Sequence, residues 1–89
     1  MVSQNVIIHC PQGLHLREAA RIVEQCQTLK AKITLCKGCK YADGCSILDL
    51  LLLEAGVGSE VMVIADGEEE STAVVLIAEL VNRYKESEA

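Results

Sequence analysis

At 89 residues the chain has room for one modest hydrophobic core, and a single domain spanning residues 1–89 is expected. Its 13 acidic residues against 8 basic ones leave a net charge of -5, which opposes the phosphate backbone of nucleic acid and excludes a nucleic-acid partner. The apolar run Ile47 to Leu53 is broken by Asp49 and falls far short of the roughly 18 residues of a membrane span, so no membrane insertion is expected.

Val2, Val6, Ile8 and Cys10 share even positions, the period of a strand with one buried face, until Pro11 and Gly13 break it. Ala19, Ile22, Val23 and Cys26 then recur at helical spacing, predicting a helix over 16–27 with Glu18 in its first turn, where a negative charge suits the helix dipole. Ala31, Ile33 and Leu35 alternate with Lys32, Thr34 and Cys36 in a second strand. Lys37-Gly38 turns it into a short third one near Lys40 to Ala42, completing a hairpin. Ser46, with Asp49 three residues later, approximates a capping box and opens a short helix over 47–54, which Gly56 and Gly58 end. Val61, Val63 and Ala65 alternate with Met62 and Ile64 in a strand apolar on both sides, as a central one would be. After the Asp66-Gly67 turn, the acidic run Glu68 to Glu70 leads into a helical stripe of Ala73, Leu76, Ile77, Leu80 and Tyr84, with Lys85 to Ala89 as a frayed end.

The order β-α-β-β-α-β-α predicts an α+β fold: an open-faced β-sandwich in which a four-stranded, largely antiparallel sheet carries three helices on one face. With no Phe or Trp, its core must be thin and built from Val, Ile, Leu and Ala. A ferredoxin-like double βαβ is the nearest competitor, and it does not need the last helix. The N-terminal Val2-Ser3-Gln4-Asn5 lacks the basic start and long apolar stretch of a secretory signal, so a cytoplasmic location is expected. Five cysteines, an odd number, read there as reduced thiols rather than a disulfide framework.

The chemistry concentrates in Pro11-Gln12-Gly13-Leu14-His15-Leu16-Arg17-Glu18-Ala19, which sets His15 and Arg17 where a Gly-containing loop meets a helix start. A helix N-terminus offers unpaired N–H groups and a partial positive charge, so a phosphoryl group on His15 would meet donors from Leu16 and Arg17. The Arg17 guanidinium adds forked donors suited to phosphate oxygens. Neutral imidazole is a competent nucleophile near pH 7, and its N–P bond is labile enough to pass the group on. The plainer reading of His15 is a surface-loop residue.

Gly13-Leu14-His15-x-Arg17, Gly44-x-Ser46-Ile47 and Ala65-Asp66-Gly67-Glu68 together resemble the histidine-containing phosphocarrier protein HPr of the phosphoenolpyruvate-dependent sugar phosphotransferase system, over nearly the whole chain. The resemblance implies a stoichiometric phosphoryl carrier, not an enzyme, without cofactor or metal. It would take its phosphoryl group on His15 from Enzyme I and hand it to IIA components of sugar permeases, with Arg17 steadying the phosphate. Ser46 matches a serine that a dedicated HPr serine kinase phosphorylates in some bacterial members; as a plain helix cap it needs no such role. Ile47, Leu48, Leu51 and Leu52 cannot all face the core while Leu50 and Leu53 claim the inner side, so an apolar patch is expected outside. By resemblance that patch, with Ala20, docks the partners of a monomer; self-association through the same leucines is the alternative.

Leu16 and Glu18 depart from the Ala and Pro that family members usually carry beside this Arg, and Glu18 sets a negative charge in the turn that must receive phosphate. Glu24 and Asp49 stand where many relatives are basic or neutral, which favours a specialised partner. Two further readings are an HPr-fold regulator working only through Ser46, and a redox or zinc role for Cys36-Lys37-Gly38-Cys39. Zinc would need His9, Cys10 or Cys45 to converge on that pair; His9 reads more simply as a surface or edge residue.

Overall fold

The computed structural model describes residues 1–82; Tyr84 and the Lys85 to Ala89 end lie outside the described residues. Its elements run β1 (Val2–Ile7), α1 (Leu16–Cys26), β2 (Lys32–Lys37), β3 (Lys40–Asp43), α2 (Ile47–Leu52), β4 (Glu60–Asp66) and α3 (Glu70–Asn82). The strands form one antiparallel sheet in the order β1-β4-β2-β3. The open-faced arrangement of four strands and three helices is the one the hydrophobic pattern predicts.

β4 lies inside the sheet, pairing Val61 with Val6 of β1 and Val63 with Leu35 of β2. Val61, Val63 and Ala65 are fully buried, and the same face carries Val6, Ile33, Leu35 and Ala42. Covering them are Ala19, Ile22 and Cys26 of α1, Leu50 of α2 with Leu53 just beyond it, and Ala73, Ile77, Ala78 and Val81 of α3. β4 is interior to the sheet, as its two apolar sides predict. It is central in its hydrogen bonding, but Met62 lies on the open face, 37% exposed, because all three helices share the other face.

Two boundaries and one buried stripe differ from expectation. β1 stops at Ile7 rather than Cys10: Ile8 leaves the ladder to donate its N–H to Ser59 O at 2.9 Å and accept from Gly58 N at 2.8 Å, while its side chain stays buried. α2 ends at Leu52, and the left-handed residue that stops it is Glu54 (φ 55), not a glycine. The Lys37 ammonium donates to the carbonyls of Leu53 (3.3 Å) and Glu54 (3.0 Å), and Lys40 pairs with the Glu54 carboxylate at 3.3 Å, so two lysines of the β2–β3 hairpin cap the helix and hold that conformation. In α3 the buried stripe is Ala73, Val74, Ile77, Ala78 and Val81, with Leu76 and Leu80 half-buried at its margin.

Candidate functional site

The loop from β1 to α1 is short and anchored at both turns. Gly13 donates its N–H to Cys10 O at 2.9 Å, and Leu14 donates to Ala55 O at 2.8 Å while burying its side chain. Gly13 has φ +74, and a Cβ there would stand 2.6 Å from Ala55 O and 2.8 Å from the Gly56 Cα. Only a residue without a side chain lets the loop press this closely on the segment before β4.

With Leu14 drawn inward, the next residue turns outward. His15 is exposed and forms the N-cap of α1 in an extended conformation (φ -101, ψ -178), its carbonyl accepting from Ala19 N at 2.9 Å. Its side chain makes no capping hydrogen bond. The amides of Leu16, Arg17 and Glu18 therefore find no acceptor among the described residues, leaving three donors and the positive end of the helix dipole beside the imidazole. Arg17 is exposed and forms no ion pair among the described residues. An anion arriving here would meet backbone donors on one side and a guanidinium free to swing onto it.

Glu18, the charge that opposes such an anion, is half-buried and turned back into the loop. The Cys10 thiol approaches its Oε2 at 3.7 Å, and its Oε1 is sealed from solvent without a partner. The sequence placed Glu18 in the first turn; its engagement with Cys10 across the loop was not visible there, because it depends on how β1 leaves the sheet.

At the second helix, Ser46 is the half-buried N-cap, its Oγ accepting from Asp49 N at 3.2 Å. Only that half of the capping box forms. Ser46 N donates to Asp43 O at 3.0 Å, and the Asp49 carboxylate accepts from Asp43 N at 3.3 Å. α1 packs beside α2, and on these neighbours Leu16 is 55%, Leu48 66% and Leu52 60% exposed. Ala20 and Ile47 are exposed, and Leu51 is half-buried against the core; Leu50 and Leu53 point fully inward. Glu24 is exposed on α1 and Asp49 half-buried on α2.

Cys36 and Cys39 stand apart from this site. Cys36 is half-buried in β2, donating to Gly38 O at 3.4 Å, and Cys39 is exposed in the Gly38-Cys39 turn. His9 is exposed beyond the end of β1. Among the described residues no three His, Cys, Asp or Glu side chains gather where a metal ion could be held, and no helix is long and apolar enough to cross a membrane. Burial, with Cys45 and Asp43 nearby, pushes the Cys26 thiol from its ordinary 9.0 up to about 12.

A family model described as the PTS HPr component phosphorylation site matches residues 2–83. The phosphocarrier protein HPr of Borreliella burgdorferi is 34% identical over 86 residues, spanning 97% of this chain and all of the relative. The crystal structure of HPr from Bacillus anthracis superimposes with a TM-score of 0.84 at 28% identity, over 90% of this chain and 95% of that one. Crh of Bacillus subtilis, described as a catabolite repression protein and a domain-swapped dimer, matches with a TM-score of 0.73 at 34% identity, over 91% of this chain and 93% of that one.

Proposed function

The chain belongs to the HPr family of phosphocarriers of the phosphotransferase system, and on that premise we propose that residues 1–89 form one cytoplasmic, monomeric carrier domain. It accepts a phosphoryl group on His15 from Enzyme I and delivers it to IIA components of sugar permeases. A lone pair of the neutral imidazole attacks phosphorus as the donor's bond to it breaks, and an acceptor nucleophile reverses the step. No cofactor is needed, because the group is never released to water and returns to a second protein.

The observation that carries this reading is the exposed His15 at the cap of α1, followed by three amides with no protein acceptor among the described residues. Those amides and the Arg17 guanidinium take the phosphate charge while the protein diffuses between partners. Leu16, Ala20, Ile47, Leu48 and Leu52, with Leu51 at the edge, form the apolar ground on which both partners sit. Glu18 weakens the hold on phosphate, and Glu24 and Asp49 select a partner with a less acidic face than an ordinary Enzyme I.

A second role, phosphorylation of Ser46 by an HPr serine kinase, follows from the resemblance of Gly44-x-Ser46-Ile47 to family members, and the likeness to Crh, described by catabolite repression, fits a regulatory use of the fold. A phosphate there would repel an acidic partner from the α2 surface. The primary test is incubation with Enzyme I and phosphoenolpyruvate, followed by intact mass measurement. Acid-labile phosphate on the parent and none on His15→Ala is expected; equal labelling of both excludes His15.

A further inference from the structure

We propose that Cys26 and Cys45 form a reversible intramolecular disulfide, with a low-molecular-weight disulfide as the oxidant, that braces the start of α2 against the end of α1. The inference stands independently of the role given to His15.

Cys26 closes α1 and is buried, its sulfur 3.0 Å from where a Cβ on Gly44 would stand. It therefore lies against the backbone of the residue that precedes Cys45. Cys45, the next residue along, stands close enough to the Cys26 thiol to help push its pKa up, although the two are separated by the whole β2–β3 hairpin. The segment that carries Cys45 is fixed in place: Cys45 N donates to Asp43 Oδ1 at 2.9 Å and Ser46 N to Asp43 O at 3.0 Å. The other three cysteines are engaged or placed elsewhere, Cys10 against Glu18, Cys36 on Gly38 O and Cys39 in the hairpin turn.

The two thiols are unequal in a way that orders the reaction. Cys45 is exposed, whereas Cys26 is buried and held in its protonated form by that burial. The Cys45 thiolate attacks one sulfur of the oxidant RSSR, forming a mixed disulfide and releasing RS⁻. The Cys26 thiol then gives its proton to that thiolate and attacks the Cys45 sulfur, displacing a second RS⁻ that takes up the proton lost by Cys45. Two protein thiols and RSSR become one protein disulfide and two RSH, with the oxidant reduced by two electrons. Reopening requires attack on the exposed Cys45 sulfur and expulsion of the Cys26 thiolate, a strongly basic leaving group in apolar surroundings, so it is slow. The bond fixes the backbone next to Ser46, Ile47 and Leu48, the end of α2 proposed to meet partners.

The test uses the full chain with Cys10, Cys36 and Cys39 replaced by Ser, so that only the proposed pair remains, alongside the unaltered protein. Each is treated with oxidised glutathione, quenched with an alkylating reagent and analysed by intact mass and peptide mapping. Expected is a monomer lighter by two hydrogen atoms, with residues 26 and 45 in one cross-linked peptide, reversed by dithiothreitol. Adding Cys26→Ala should arrest the reaction at a glutathione adduct on Cys45, and adding Cys45→Ser should leave Cys26 unmodified until the protein is unfolded. A stable glutathione adduct on Cys45 with Cys26 still present, or a dimer joined through Cys45, overturns the proposal. Should the triple-serine chain fail to fold, peptide mapping of the unaltered protein decides between the same outcomes: residues 26 and 45 cross-linked to each other, or not.

Discussion

Replacing Gly13 by Ala perturbs the one contact that turns His15 outward. Two costs add. An L side chain at φ +74 is strained by about 1 kcal/mol. The new Cβ would also stand 2.6 Å from Ala55 O and 2.8 Å from the Gly56 Cα, both rigid backbone atoms and well inside the 3.4 Å of ordinary contact. To relieve this the loop must retreat, stretching the 2.8 Å hydrogen bond from Leu14 N to Ala55 O, whose loss costs about another 1 to 1.5 kcal/mol. The expected destabilisation is about 2 to 2.5 kcal/mol, read from the midpoint and slope of urea unfolding. Gly38→Ala supplies the control, since Gly38 has φ +60 but nothing within 4 Å of its would-be Cβ, and should lose only the strain, about 1 kcal/mol. If Gly13→Ala is no less stable than Gly38→Ala, the close approach of the loop to Ala55 and Gly56 is wrong, and so is the anchoring that sets the position of His15.

On α2, Leu50→Ala should destabilise by about 2 to 5 kcal/mol because Leu50 is fully buried, whereas Leu48→Ala and Leu52→Ala should leave stability within about 0.5 kcal/mol and slow phosphoryl transfer from Enzyme I; urea unfolding and initial rates separate the two effects. Ser46→Ala removes the acceptor for Asp49 N and should cost about 1 kcal/mol in the same unfolding assay. The Cys26 thiol, raised from 9.0 to about 12, binds a proton more tightly folded than unfolded; its contribution is complete below pH 9 and is lost as pH rises toward 12. Unfolding under reducing conditions should therefore show stability falling more steeply above pH 9 in the parent than in Cys26→Ala; parallel slopes would contradict that burial.

Most of the architecture was legible because each strand and helix hides one face, and that face writes a period into the sequence. Val61, Val63 and Ala65 announce the covered side of β4, and Ala19, Ile22 and Cys26 that of α1. What hydrophobicity does not encode is hydrogen-bond pairing: Ile8 is as buried as a strand residue and yet bonds to the Gly58-Ser59 turn, so β1 seemed longer than it is. The stop of α2 was obscured by nearby Gly56, while the residue that takes the left-handed conformation, Glu54, does so with help from Lys37 and Lys40, distant in sequence. At the site, the location of His15 at a helix cap was legible because loop glycine and helix start are local signals. The turn of Glu18 toward Cys10 and the meeting of Cys26 with Cys45 were not, because each joins elements that only the folded sheet brings together.

The measurement closest to the central claim is a comparison of backbone amide resonances before and after phosphorylation by Enzyme I and phosphoenolpyruvate. If the phosphoryl group on His15 is held by the start of α1, the amide protons of Leu16, Arg17 and Glu18 should shift downfield together as they gain an anionic acceptor. Phosphorylation that leaves these three unmoved, while resonances in another part of the fold respond, would contradict the account.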